Sequence, residues 1–340
     1  MFQRSAGGRV LEILLFTLSS LVLYHIGIGV AVFLIPLQVV ASRRGTGSLL
    51  VACGIFMIVF LALRLPPFLG GTGQPDLVSL GEGIFVLSLF AGLLIVNLPL
   101  LATWRTLFRL LAATALVGLG AIPCVIMLAH NTQFQSAMGT VYEELSRLIT
   151  SLFTRKQDTT DPALSAFLSP KALRSLMRAF LSRSLLPLYF GLLSFSWWAG
   201  QASAARSLWF GQARFRFSGF RLESFWLWPL ICALALILAD LVLGSRADAG
   251  LRELGWQYGA WNIGLIVVVM YGLQGLAILR FLFEKHGLPR LLWLLLIVAV
   301  AILAASPRTG VVVMVALPAF GVSENWVRYR IVADRKPNES

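Results

Sequence analysis

The chain has 340 residues, 58% hydrophobic and only 13% charged, with a formal net charge of +13. A soluble domain carries about a quarter charged residues, so this composition excludes an ordinary water-soluble globule and makes lipid the expected solvent. The basic residues stand in short stretches between apolar runs, the positive-inside pattern, which argues against nucleic acid as the partner of so much positive charge.

Cys53, Cys124 and Cys232 each lie alone in an apolar run, without a CxxC; they read as small packing residues. His25, His130 and His286 are far apart and no HExxH occurs, so no metal site and no cofactor are expected.

Arg4 and Arg9 precede the first apolar run, which lacks a convincing cleavage site and is read as a retained helix. Val10–Val40 is too long for one comfortable pass and is interrupted by His25, Gly27 and Gly29. It predicts helices over about 9–25 and 28–41, the second only about 21 Å long and containing Pro36. Arg43 and Arg44 follow, then a third helix at about 47–64. The Pro and Gly content of Pro66–Gly83 predicts a loop. A fourth helix at about 83–101 carries Asn97 and Pro99 near its end. Arg105 and Arg109 mark a turn before a fifth, at about 108–129.

Residues 131–181 differ. Val141, Leu145, Leu148, Ile149 and Leu152 recur at helical spacing among polar residues, which predicts an amphipathic helix. Asp161-Pro162 and Ser169-Pro170 punctuate the segment, and a second amphipathic piece, Leu173–Phe180, leads on. The segment reads as lying on lipid headgroups, or as a lid over a site. A sixth helix spans about 184–204. In Arg206–Arg221 four arginines alternate with aromatics; base stacking could use them, but an anionic cytoplasmic leaflet explains them more simply. A seventh helix at about 224–244 starts with the interface residues Trp226 and Trp228. The eighth lies within Trp261–Glu284, uncharged from Ile263 to Leu279 yet holding Tyr271 and Gln274. Lipid offers no partner to such an amide, so this helix must have neighbours. Short runs at about 290–305 and 309–326 and a charged tail complete the chain.

Ten helices with both termini on one side place 17 of the 28 Lys and Arg there. Seven of the other 11 fall in 130–183, where a long segment counts less. Letting Val10–Val40 and Leu291–Val327 cross only once reverses the bias to 11 against 17. The charges therefore predict two helical hairpins and cytoplasmic termini.

Asp240 is the only acid well inside a predicted span. It would bind a cation or proton, or pair with Arg246 or Arg252 at the interface. Gly191, Ser194, Trp198, Gln201 and Ala205 share one face of the sixth helix, suited to close packing or, with Trp197, to a pocket. Gly264, Tyr271 and Gly275 suggest a close-contact face on the eighth. Asn262 and Gln274 lie about 120° apart there and should meet different neighbours. Glu324 and Arg328 form an i,i+4 pair worth a few tenths of a kcal/mol. Short spans broken by Gly27, Gly29 and Pro36, and by Pro307 and Pro318, suggest discontinuous helices. There is no GxSxG, P-loop or GxGxxG and no paired catalytic carboxylate.

The stretches NIGLIVVVMYGLQGLAILRFLFEKHG (Asn262–Gly287) and GVSENWVRYR (Gly321–Arg330) resemble the YybS-like family of bacterial integral membrane proteins of unknown function. FRLESFWLWPL (Phe220–Leu230) and RSLLPLYFG (Arg183–Gly191) fit the same pattern, with Glu324 standing where that pattern has Asp. The resemblance implies a multi-pass inner-membrane protein and brings no activity. More distantly, the opening helix, short second helix and basic turn are similar to substrate-binding subunits of energy-coupling-factor vitamin transporters. The AxxxA coupling motif of that group is absent from the first helix.

The expected fold is all-α, a polytopic transmembrane bundle of about eight to ten membrane helices. The expected divisions are 1–130, 131–181, 182–327 and the tail 328–340. The first functional expectation is binding or movement of a small solute, lined by Asn262, Tyr271, Gln274, Trp198, Gln201 and Asp240 through hydrogen bonding or stacking. The second is a scaffold or assembly factor whose polar residues only join helices; a membrane-embedded enzyme comes third. Expected partners are the lipid bilayer, a small-molecule solute and membrane partner subunits, with no nucleic acid.

Overall fold

A computed structural model describes residues 6–26, 32–64, 77–154, 169–205, 217–243, 256–305, 307–327 and 329–330. These contain eleven α-helices and no strand. Six helices hold a segment of 18 or more residues apolar enough to cross a membrane. Only 11% to 39% of each such segment is buried, so large apolar side chains point outward, among them Ile58, Leu87 and Leu238. Monomeric soluble proteins rarely expose apolar surface on this scale.

The chain divides into two compact units, residues 1–212 and 213–340. The first contains α1 (Ala6–His25), α2 (Leu34–Arg44), α3 (Thr46–Arg64), α4 (Leu77–Val96), α5 (Thr106–His130), α6 (Thr132–Thr154) and α7 (Pro170–Ala205). Val10–Val40 does form two helices, but the second starts at Leu34, not near 28. Pro36 sits in its first turn, where a missing N–H breaks no helical bond. With 11 residues, α2 rises about 16 Å, roughly half a bilayer core. It packs against α1, α3 and α7, which bury seven of its residues from Leu34 to Ala41. Gly45, at φ +87°, takes the left-handed conformation that lets the chain turn at once into α3.

Contacts fix which helix ends lie together in this unit. Glu12 of α1 pairs with Arg43 and Arg44 at the end of α2. Asn97, just past α4, bonds Gln38 of α2 and accepts from Thr46 at the start of α3. At the opposite end Tyr24 of α1 donates to Glu82 near the start of α4, at 2.5 Å.

The predicted loop Pro66–Gly83 is corrected in its second half, since α4 starts at Leu77. Gly81 and Gly83 suggested a loop, but the partnered Glu82 and the apolar neighbours carry the helix through them. The amphipathic helix over 131–154 forms as α6. Asn131 caps it, its Oδ1 accepting from the N–H groups of Gln133 and Phe134 at 2.9 and 3.1 Å. Val141, Leu145 and Leu148 of its apolar stripe remain exposed. The second amphipathic piece and the sixth predicted helix are one continuous helix, α7, of 36 residues and about 54 Å. Asp161-Pro162, most of the arginine–aromatic loop (206–216) and the tail beyond 330 lie outside the described residues.

The second unit contains α8 (Leu227–Leu243), α9 (Trp256–Lys285), α10 (Arg290–Ala305) and α11 (Pro307–Ser323), entered by short 3₁₀ turns at Phe217–Gly219 and Ser224–Trp226. α9 is central, packing on α11, α8 and the first of those turns. α10 and α11 form the second hairpin, closed so tightly that a Cβ on Gly310 would stand 2.6 Å from the Ala304 carbonyl oxygen.

Candidate functional site

Two helices approach most closely where side chains are missing. A Cβ at Gly275 of α9 would lie 2.2 Å from the Leu317 carbonyl oxygen, and one at Gly321 of α11 would lie 2.0 Å from that of Tyr271. Backbone atoms cannot yield as a flexible side chain can, so both positions require glycine. Gly264 likewise faces α8, with Ile237 and Ala233 at 3.0 and 3.1 Å from its would-be Cβ. The close-contact face suggested by Gly264 and Gly275 is thus real, and Gly321 completes it from the other side.

Beside this crossing lies the most densely bonded polar group of the second unit. Gln274 is 1% exposed. Its Oε1 accepts from the backbone N–H of Leu222 at 3.0 Å. Its Nε2 donates to the Gly321 carbonyl at 3.1 Å and to Glu324 Oε2 at 2.8 Å. Glu324, 4% exposed, meets Arg330. Nη2 donates to Oε2 at 3.1 Å, and Nε lies 3.1 Å from Oε1 without hydrogen-bond alignment. Arg330 Nη1 donates to the Ser218 carbonyl at 2.7 Å. One amide and one ion pair thereby join the segment 218–222, the middle of α9 and the C-terminal turns after α11. Burial holds the Arg330 guanidinium below its ordinary pKa; Glu324 counters this and the Arg221 cation adds to it.

The four candidate residues of the second unit do not converge on one place, and the other two belong to the first unit. Trp198 and Gln201 belong to α7 in the first unit and are half-buried; the Trp198 ring stands 6.5 Å from Phe195. Tyr271 is fully buried beside the Gln274 cluster, its hydroxyl next to Asn325 without an aligned hydrogen bond. Asn262 lies about 18 Å along α9 from Gln274 and turns back on its own helix, donating to the Tyr258 carbonyl at 2.7 Å. Asp240 accepts from Trp261 Nε1 at 3.2 Å; the expected partners Arg246 and Arg252 lie outside the described residues.

Arg328, the expected i,i+4 partner of Glu324, lies outside the described residues; Glu324 is buried and pairs with Arg330. Gly191 has open space around it, whereas Gly200, one turn from Trp197, is where α7 meets α2, with Gln38 Cγ 2.4 Å from a would-be Cβ. Besides Asp240, Glu12 and Glu82 lie in the opening turns of apolar helical segments. A heavier weight on acids close to predicted helix starts would have found both. Gln38 and Asn97 were also missed as a pair. They exchange two hydrogen bonds, of 3.2 and 2.8 Å, and no local spacing relates residues so far apart in sequence.

Searches against models of protein families, against curated proteins and against solved structures find no match.

Proposed function

We propose that this is a multi-pass protein of the bacterial inner membrane, with both termini cytoplasmic, and that its C-terminal unit serves as a helical scaffold. Six long apolar helices that expose most of their surface support the membrane reading. The arginine bias supports the orientation. One observation carries the scaffold reading: Gln274, the amide within the apolar run, has its carbonyl oxygen and amide nitrogen engaged by the protein itself. A side chain so employed joins helices and leaves little capacity to recognise a solute.

The likeness to YybS-like proteins agrees with this reading. Small-solute binding, as in vitamin-uptake subunits, is the second reading. It is favoured by the half-length helix α2 buried within its unit, since membrane transporters place discontinuous helices at their substrate sites.

Thermal melting of the purified full-length chain in detergent separates the two. The scaffold reading expects Gln274→Leu to melt well below the wild type, and a panel of vitamins and other small solutes to leave the wild-type melting temperature unchanged. A solute that raises wild-type stability by about 3 kcal/mol, as a ligand at a hundred times its Kd does, would favour solute binding.

A further inference from the structure

Where α1 meets the end of α2, one carboxylate faces two arginines among the described residues. Arg44 grips Glu12 with two N–H groups, Nε at 3.0 Å and Nη2, both on Oε2. Arg43 takes the remaining oxygen with Nη1 at 3.0 Å, and its guanidinium lies 5.5 Å from the centre of the Phe16 ring. Its Nε is buried and has no partner. One carboxylate thus serves two guanidinium groups. A partly buried cation left with a free donor is costly unless an anion joins it.

An open groove of about 530 Å³ starts at this point, a volume in the range of small-molecule sites. Gly8, Glu12 and Arg43 form its polar end; Leu11, Leu15 and Phe16 line its length, and Ser19 lies at its far end. From Gly8 to Ser19 it follows α1 for about 16 Å. Leu11 and Leu15 are 59% and 56% exposed, so the groove opens sideways, away from the bundle.

We propose that this groove holds one anionic phospholipid. Its phosphate diester sits on Arg43, accepting from Nε, while the first methylenes of an acyl chain lie along Leu11, Leu15 and Phe16. Charge complementarity at one end and the apolar course of Leu11, Leu15 and Phe16 beyond it, with the Ser19 hydroxyl at the far end bonded to the Leu15 carbonyl, fit an amphiphile and suit neither a free anion nor a neutral lipid. Arg44 alone can keep Glu12 neutralised, which frees Arg43 to turn toward the headgroup. The site rests on the membrane reading above and adds to it a lipid class and a location. It lies at the arginine-bearing end of the unit, the end that reading places in the leaflet where anionic lipids concentrate.

Native mass spectrometry of the full-length chain, released from mixed micelles of phosphatidylglycerol and phosphatidylcholine, tests this. The wild type should retain one phosphatidylglycerol in preference to phosphatidylcholine. Arg43→Gln should retain it about tenfold less well, the equivalent of one charge-assisted hydrogen bond. Leu15→Trp, which fills the groove at an exposed position, should weaken it comparably, and Leu119→Trp on α5 should not. Should Arg43→Gln fail to fold, Leu15→Trp against the two lipids decides alone. Equal retention of the two lipids, or phosphatidylglycerol retention indifferent to Leu15→Trp, overturns the proposal. So does displacement of the lipid by millimolar inorganic phosphate, which would assign the arginine to a free anion. A chain that stays soluble without detergent would instead refute the membrane reading itself.

Discussion

The two units solve the same problem differently. Both bring arginine and glutamate together among apolar residues. In the C-terminal unit one acid meets one base, and Gln274 and two backbone carbonyls take up most of the remaining hydrogen-bonding capacity. The cluster is enclosed and lies where two backbones touch. In the N-terminal unit one acid meets two bases, and the cluster borders an open groove. In each a guanidinium Nε lacks an aligned hydrogen-bond partner, that of Arg330 facing Glu324 and that of Arg43 beside the groove. An enclosed cluster is suited to fixing helices; an open one has capacity for something outside the chain. The N-terminal unit also has an uncharged polar pair, the Gln38–Asn97 exchange, and there again the neighbour is a glycine, Gly200.

Substitutions can sharpen or break this contrast. The largest effect is expected at the crossing. Gly321→Val would drive a side chain into the Tyr271 carbonyl, and the chain should not be recoverable as a monodisperse species in detergent. Gly191→Ala, with nothing within 4 Å of its would-be Cβ, should purify and melt like the wild type. Next comes Arg330→Met, which strands a buried carboxylate and should cost about 3–5 kcal/mol in denaturant unfolding. Adding Glu324→Met should restore much of that loss. Gln274→Leu should cost about 2–4 kcal/mol, because the Leu222 N–H and Glu324 each lose a buried partner. Gln38→Leu should be milder, about 1–3 kcal/mol, since the Asn97 amide also donates to the Leu93 carbonyl. Smallest is Asp240→Asn, whose oxygen can still accept from Trp261; it should change stability by less than about 1 kcal/mol. A larger loss there would mean that the Asp240 charge matters more than its single visible contact suggests.

The helices were largely legible because period and charge locate them one at a time. The break in Val10–Val40, the late polar amide in α9 and its glycine face can all be read from short windows. What could not be read depends on which window meets which. Gln274 needs a partner on any reading of its run, but the partners come from Leu222, Gly321 and Glu324, up to 52 residues away. Glu324 pairs with Arg330, six residues on and outside the i,i+3 and i,i+4 spacings a helix rule offers. Glu12 has its bases on another helix, which no local spacing reveals. The start of α4 precedes the end of the Gly- and Pro-rich stretch because the apolar residues around Gly81 and Gly83 continue the helix.

A double-mutant cycle on Gln274 and Glu324, read by denaturant unfolding of the full-length chain in detergent, bears most directly on the idea that this cluster clamps the C-terminal unit together. With Gln274→Leu, Glu324→Met and the double substitution, a coupling of at least about 1 kcal/mol is expected. Single losses that add to within about 0.3–0.5 kcal/mol would mean the two side chains do not act on one another, and the clamp would be contradicted.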